Sequence, residues 1–525
     1  MSNAESLPAA TPECLHEWLE HWAMHRPGAE AVVDRQRRLS YAELKVAVDE
    51  CAAAMVASGV RHGDRVAMLA TPGADFLIVF LAAASIGAIW VGLNPRYADA
   101  ELAEAVARID PRLVLARTAI EARSYIAWLE ALPHSVAAVA LDLSGSGRRI
   151  VGFADFLSRA RELPSEDLQW RRRQIQPADP CLIVFTSGST GMPKGAMISH
   201  AALTGASAVQ VRVWAAEPLR VLNNLPINHI GCVGDLTCYA LIGGGTIIFS
   251  ARFDPADTLV LLSEERVTVW GQVPTMFQLS LDFPGFDAAK LKHLQLIFWG
   301  GAHASRELVA RLRELCPRLA TSYGQTETVG SITFTPPDAT LETLATTVGR
   351  AMPPYQLRIT LADGQAAATG ESGEIQVRTP FGMSGYWRDP RASAAAVDAD
   401  GWRFTGDVGV LTAEGDLQLL GRVHDVFKSG GYNIYPPEIE AALESHPAVR
   451  QASVVGAPDA IFGTVAVAFI VSHAAPPTDQ ELRAHLRERL ANYKIPKRLY
   501  FLDELPRLPV GKIDKQALRE QAARS

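Results

Sequence analysis

Short apolar runs alternate with longer stretches of helical period along the first 420 residues. Val66–Leu69, Leu182–Phe185, Thr246–Phe249, Val267–Trp270 and Leu296–Trp299 read as buried strands. Between them, Leu102–Ile109 and Ala304–Leu315 repeat apolar positions every three or four residues and predict helices. Such alternation predicts an α/β fold of doubly wound parallel sheets with helices on both faces. Phe76 to Leu93 carries no charge over 18 residues, the threshold for a membrane-crossing helix. Ser85, Gly87 and Gly92 interrupt it, so it reads as a buried helix ending near Gly87 and a strand Ala88–Val91. No membrane span is predicted.

From residue 348 to 420 the pattern shifts to strands and turns, as in Gly373–Arg378 and Asp416–Leu420, predicting a small β-rich subdomain. The remainder predicts an α+β unit. A helix opens at Pro437 and Glu438 and runs through Leu443, Gln451–Val455 and Thr464–Val471 are strands, and Thr478–Leu490 is an amphipathic helix. The boundary falls near Arg422-Val423-His424, giving domains 1–421 and 422–525. There is no internal repeat or low-complexity tract, and nothing like a carrier-protein domain follows Lys512.

A chain of 525 residues is too long for one ordinary core, in keeping with two or more domains. At 48% hydrophobic and 20% charged it has the composition of a globular protein, and a net charge of −7 argues against nucleic acid as a main partner. Arg171-Arg172-Arg173 is expected to be a solvated face in a polar connector. Six dispersed cysteines without a CxxC pair or a Cys/His cluster predict reduced, packed thiols in a cytoplasmic protein. The N-terminal residues show no secretory-signal pattern.

The run Thr186-Ser187-Gly188-Ser189-Thr190-Gly191-Met192-Pro193-Lys194-Gly195 follows a strand and precedes a helix expected near Ser199. Glycines let main-chain N–H groups converge, hydroxyls add donors and Lys194 adds charge, which is how a backbone wraps phosphate. Lys194 stands three residues after Gly191 and is followed by Gly195, so the spacing of a P-loop NTPase fails. Taken alone, a chance Gly/Ser-rich turn remains the bland alternative.

Other motifs follow in order: Gly300-Gly301-Ala302, Tyr323-Gly324-Gln325-Thr326-Glu327, Thr405-Gly406-Asp407, Gly421-Arg422, Lys428-Ser429-Gly430-Gly431-Tyr432-Asn433, Pro437-Glu438-Ile439-Glu440 and Pro509-Val510-Gly511-Lys512. The set resembles the adenylate-forming superfamily of acyl-CoA synthetases, luciferases and peptide-synthetase adenylation domains, from about residue 15 to the C-terminus. The resemblance implies a mobile C-terminal domain and a two-step ligation. A carboxylate attacks the α-phosphorus of ATP, and a thiol then displaces AMP from the acyl-adenylate. ATP, Mg²⁺ and coenzyme A (as substrate) are implied, with a monomer or homodimer as the assembly.

By this resemblance Thr186, Ser187, Gly188, Ser189, Thr190, Gly191 and Lys194 hold the β- and γ-phosphates. Tyr323 and Gly324, with Gly301 and Ala302, take the adenine, Thr326 meets the α-phosphate, and Glu327 is the Mg²⁺ ligand. Asp407 accepts from the ribose hydroxyls, Arg422 contacts ribose or phosphate, and Lys512 neutralises charge during adenylation, assisted at the catalytic centre by Lys428. Tyr323 as a core aromatic, Asp407 as a turn residue and Lys512 as a solvated lysine are the bland readings; Lys515 is expected to be solvated. The hinge position, usually Asp or Lys in the family, is His424. The Thr usual in the Lys512 loop is also absent.

Leu225-Pro226-Ile227-Asn228-His229-Ile230-Gly231 resembles the stretch bearing a His near the acyl pocket of acyl- and aryl-CoA ligases, which makes His229 a catalytic candidate beside its reading as an ordinary histidine. Ile227, Asn228, Cys232, Val233, Trp299, Gly300, Ser322 and Gly324 are candidate pocket lining. Asp235 is not read as the ammonium-pairing Asp of amino-acid-activating relatives. Gly324 is expected to leave the pocket floor open, favouring an aromatic, alicyclic or medium-chain acid. Ser429, Gly430, Gly431, Lys494 and Lys497 resemble CoA-contacting positions, although rim lysines also occur without a role. A carrier-protein thiol as acceptor, and a luciferase-like or non-catalytic relative, are the competing readings.

Overall fold

A computed structural model describes residues 11–35, 37–186, 193–336, 338–429, 432–459, 463–507 and 513–524. The chain divides into two compact units. One comprises Met1–Ala345, Gly349–Gln356 and Arg378–Gly401, the other Thr346–Val348, Leu357–Val377 and Trp402–Ser525.

The first unit is built on two large sheets. In one of nine strands, Thr246–Phe249, Arg220–Asn223, Val269–Gln272, Leu296–Gly300 and Leu319–Gln325 run parallel. In the other, of eight strands, Arg65–Leu69, Ile89–Gly92, Leu113–Ala116, Ala137–Ala140 and Pro180–Thr186 run parallel. The expected strands are present, that at 267–270 moved two residues along to Val269–Gln272. Helices such as Asp99–Ile109 and Arg306–Leu315 cover the sheets with the apolar faces their periodicity predicts. The uncharged stretch is the buried helix Ala74–Ala84 followed by the strand Ile89–Gly92, as read. Among the described residues no helix is long and apolar enough to cross a membrane.

The helix expected near Ser199 is present, one strand is added before it, and one expectation is corrected. A strand, Lys194–Ser199, lies between the Gly/Ser-rich segment and the helix His200–Val213, pairing antiparallel with Pro180–Thr186. The segment therefore joins two strands of a hairpin, because Ala196, Met197 and Ile198 complete a sheet that local pattern does not reveal. The arginine run lies in the helix Ser165–Gln174, where Arg172 pairs with Asp49 at 2.5 Å and Glu20 at 3.3 Å and is largely enclosed rather than solvated. All six cysteines are buried and free of disulfides.

The second unit holds a four-stranded sheet including Gly373–Arg378, Arg403–Leu411 and Leu417–Arg422. It also holds an α+β body around the paired strands Val449–Asp459 and Gly463–Ser472, against which the helix Pro436–Glu444 packs. Thr478 caps the helix Asp479–Arg487 by accepting from the Glu481 N–H.

Candidate active site

In the first unit the hairpin register places Lys194 opposite Thr186, and Thr186 Oγ1 donates to the Lys194 carbonyl at 3.4 Å. Ser187, Gly188, Ser189, Thr190 and Gly191 lie outside the described residues. The second strand of the hairpin pairs in turn with Gly385–Tyr386, which delivers a residue the motifs did not reveal. Lys194 Nζ sits 5.3 Å from the centre of the Tyr386 ring, and the Tyr386 hydroxyl donates to Glu327 Oε1 at 2.9 Å. One aromatic thus joins the expected phosphate lysine to the expected metal carboxylate, aided by a bond from Met383 N–H to the Glu327 carbonyl. Arg108 donates to the Pro193 carbonyl at 2.6 Å and its own carbonyl accepts from the Trp387 indole at 3.0 Å, anchoring the end of the Gly/Ser segment. Only a backbone chain through three distant segments unites these residues, so no local motif marked Tyr386 or Arg108.

Thr326 and Glu327 form a short 3₁₀ turn directly after the strand Leu319–Gln325, and both stay half-buried. Gly300 ends the parallel neighbour of that strand, where Gly301 takes a positive φ of 77° and, like Ala302, is exposed. Tyr323 is buried, at 6% exposure.

Gly324 does not leave a pocket open. A Cβ there would meet the Gly330 carbonyl oxygen at 2.0 Å and its carbon at 2.5 Å, so the glycine serves a close backbone approach across the hairpin Leu319–Gln325 and Gly330–Phe334.

Other pocket candidates separate. Trp299 packs with Leu222, Trp270 and Phe277 on one face of the nine-stranded sheet. Cys232 instead meets Asn223, the neighbour of Leu222 that points to the opposite face, its thiol accepting from Asn223 Nδ2 at 3.4 Å. The sheet therefore divides Trp299 from Cys232. Ile227, Cys232 and Val233 are all at most 1% exposed and present no surface. His229 is exposed and Asn228 half-buried, as are Gly231 and Asp235 on a π-type helix, Gly231–Cys238, whose other residues are buried. His229 Nδ1 accepts from the Gly231 N–H at 3.1 Å, which assigns the ring proton of the neutral form to Nε2.

In the second unit Asp407 is buried, and its Oδ1 lies 3.1 Å from Arg422 Nε across paired strands. The Asp407 N–H donates to Thr405 Oγ1 at 3.1 Å, and Glu374 accepts from the Gly406 N–H at 3.1 Å. Burial first, then the Asp407 charge, raises the Glu374 pKa above its usual range. Glu374 stands thirty-odd residues before the Thr405-Gly406-Asp407 turn, which is why the motif alone missed it. His424 and Lys428 are exposed and Ser429 is buried, while Gly430, Gly431 and Lys512 lie outside the described residues. Lys494 is held by Glu438 at 2.5 Å, and Lys497 is exposed. Lys515, expected to be solvated, is instead largely enclosed in a 2.9 Å pair with Glu440.

Residues 19–387 match the family model of AMP-binding enzymes and residues 438–512 that of the AMP-binding enzyme C-terminal domain. The chain is 35% identical over 516 residues to an indoleacetate–CoA ligase of Aromatoleum aromaticum, covering 97% of this chain and 98% of the relative. It is 34% identical over 510 residues to a 3-[(3aS,4S,7aS)-7a-methyl-1,5-dioxo-octahydro-1H-inden-4-yl]propanoyl:CoA ligase of Rhodococcus jostii, covering 94% and 95%. Its fold matches o-succinylbenzoate CoA synthetase of Bacillus subtilis in complex with its acyl-adenylate intermediate, with a TM-score of 0.80, 29% identity and coverage of 96% and 97%. A strand–hairpin scaffold carrying the expected phosphate and carboxylate groups, matched end to end in this way, belongs to the AMP-binding enzyme family, the adenylate-forming superfamily that its motifs resemble.

Proposed function

We propose that this chain is an ATP-dependent, AMP-forming acid–CoA ligase that acts through an acyl-adenylate on an aromatic, alicyclic or medium-chain acid. The observation that carries this reading is the end-to-end similarity to enzymes named as CoA ligases for an indole acid and an alicyclic propanoic acid. In the first step a carboxylate oxygen bonds to the α-phosphorus and pyrophosphate leaves. In the second the thiol sulfur, giving up its proton, bonds to the acyl carbon and AMP leaves. Both steps ask the protein for positioning and charge neutralisation.

Thr186 and Lys194, with the segment 187–191, receive the β- and γ-phosphates. Thr326 meets the α-phosphate, Tyr323, Gly324, Gly301 and Ala302 the base, and Asp407 the ribose, held in place by Arg422. Lys512, with Lys428, serves charge that develops during adenylation. Glu327 suits Mg²⁺ as a hard oxygen ligand, with Oε1 anchored by Tyr386 and a half-buried carboxylate left to bind. Among the described residues no group of three or more His, Cys, Asp or Glu could hold a metal alone. This fits an ion held by one carboxylate, phosphate oxygens and water. Bound there, Mg²⁺ would neutralise phosphate charge.

The functional division is placed at residues 421 and 422, with His424 as hinge. His424 stands between Arg422, bound to Asp407, and Asp425, which pairs with Arg519 of the helix Lys515–Arg524. Ser429, Gly430, Gly431, Lys494 and Lys497 line the CoA path, with Lys494 neutralised by Glu438 and so poorly placed to meet phosphate.

The test is a pyrophosphate-release screen of carboxylic acids with and without CoA, with thioester formation followed by mass. Release with arylacetic or alicyclic acids and appearance of the acyl-CoA is expected. Release without any CoA thioester would transfer the reading to a carrier-protein thiol, and no release with any acid would refute it.

A further inference from the structure

Asp235 is a carboxylate that the motifs do not employ. It sits on the π-type helix between buried neighbours, Val233, Gly234, Leu236 and Thr237, yet keeps surface itself. Its main-chain carbonyl accepts from Gln210 Nε2 at 2.8 Å, which fixes the helix at this point. Oδ1 accepts from the Ser331 N–H at 3.2 Å and the Ser331 hydroxyl at 3.1 Å, and the Ser331 and Ser322 hydroxyls lie 2.9 Å apart. Gly330, with φ of 90°, admits this approach, since a Cβ there would stand 2.7 Å from Oδ1.

The strand register places the carboxylate. Ser331 pairs with Gly324, and Ser322 with Gly300, so Asp235 stands at the C-terminal ends of two parallel strands, where α/β sheets take their ligands. His229 and Gly231 keep surface on the same helix and its approach. Among the described residues no donor is bonded to Oδ2. Among the described residues the buried Tyr355 hydroxyl has no partner, and its pKa is raised by burial first and by the Asp235 charge second. A carboxylate with one oxygen bonded and the other open is an incomplete polar set, costly to cover with an apolar group.

We propose that Asp235 is a specificity-determining residue of the acyl site, selecting acids that carry a hydrogen-bond donor (a ring N–H or a hydroxyl) on the part buried against this helix. This rests on the ligase reading above. A donor-bearing acid completes Oδ2. An isostere without the donor buries the oxygen unpaired, and a second carboxylate meets like charge.

The test compares kcat/KM in pyrophosphate release for indole-3-acetate against benzofuran-3-acetate, and for 4-hydroxyphenylacetate against 4-methylphenylacetate. Wild type is expected to favour the donor in at least one pair by about tenfold or more, chiefly through KM. Asp235→Asn keeps an acceptor for Ser331 but turns an amide N–H outward, so the ratio should fall to about one or below while the donor-less acid is still adenylated. A ratio near one in wild type for both pairs, or a ratio unchanged in Asp235→Asn, overturns the proposal while leaving the ligase reading intact. If Asp235→Asn does not fold, Ser331→Ala, which loosens the carboxylate, must narrow the wild-type ratio, and an unchanged ratio overturns it equally. No release with any acid by wild type overturns both.

Discussion

Replacing Tyr386 by Phe removes a single oxygen and keeps the ring beneath Lys194. The lost bond is the 2.9 Å donation to Glu327 Oε1, made to a charged acceptor on a half-buried side chain. Hydrogen bonds to charged groups contribute about 1.5–3 kcal/mol, and partial exposure puts this one near the lower end. Freeing the Glu327 carboxylate also restores rotamer freedom that ordering must remove again, up to about 1.5–2 kcal/mol for a glutamate. Together these predict at least a tenfold loss at 1.4 kcal/mol per decade. Because Oε1 is the anchored oxygen, the loss should appear as a rise in the Mg²⁺ concentration giving half-maximal pyrophosphate release. Lys194, 5.3 Å from the ring centre, keeps its cation–π contact with Phe, worth about 0.5–1 kcal/mol, whereas Tyr386→Leu forfeits both. Glu327→Gln, which replaces the charged oxygen, should shift the Mg²⁺ curve further than either. A Mg²⁺ titration of Tyr386→Phe that overlays wild type, or one as poor as Tyr386→Leu, would refute the reasoning.

Lys512→Ala should slow acyl-adenylate formation by about 10²–10³ while sparing thioester formation from supplied acyl-adenylate, and equal losses in both half-reactions would count against a role confined to adenylation. Gly324→Ala places a Cβ 2.0 Å from the Gly330 carbonyl oxygen, so thermal melting should show a loss of at least about 1–3 kcal/mol, and an unshifted melt would contradict the close approach. Burial raises the Asp235 pKa to about 6, opposed by its bonds from Ser331. The folded value thus lies above the unfolded one near 3.9, so the protonated form stabilises the fold below about pH 4 and that stabilisation is lost as pH rises through 6. Asn does not titrate, so the melting temperature of Asp235→Asn should gain on wild type between pH 4 and 6 and then level off. A difference constant with pH would show that the carboxyl is not held this way.

Local pattern sufficed for the alternation of strands and helices, since burial of a short apolar run or a helical stripe is decided within a few residues. The strand Gly373–Arg378 and the interrupted apolar stretch 76–93 follow from that rule. Membership of the family was equally legible, because its motifs stand in order along the chain. The strand Lys194–Ser199 was not, because its partners, Pro180–Thr186 and Gly385–Tyr386, come from both before and far beyond it.

The sequence by itself determined which side chains stand in which motif: a run of glycines and hydroxyls ending at Lys194 and Gly195, a hard carboxylate at Glu327 and an acidic turn at Asp407. Tertiary structure alone decided which groups share a neighbourhood. Tyr386 reaches Glu327 across 59 positions of sequence, and Asp235 reaches Ser331 across 96. Trp299 and Cys232 fall on opposite faces of one sheet. Gly324 reads as an empty space in the sequence and proves to be a backbone contact in the fold. Side-chain type is a local property, whereas register, sheet face and backbone approach are set by pairing between distant segments.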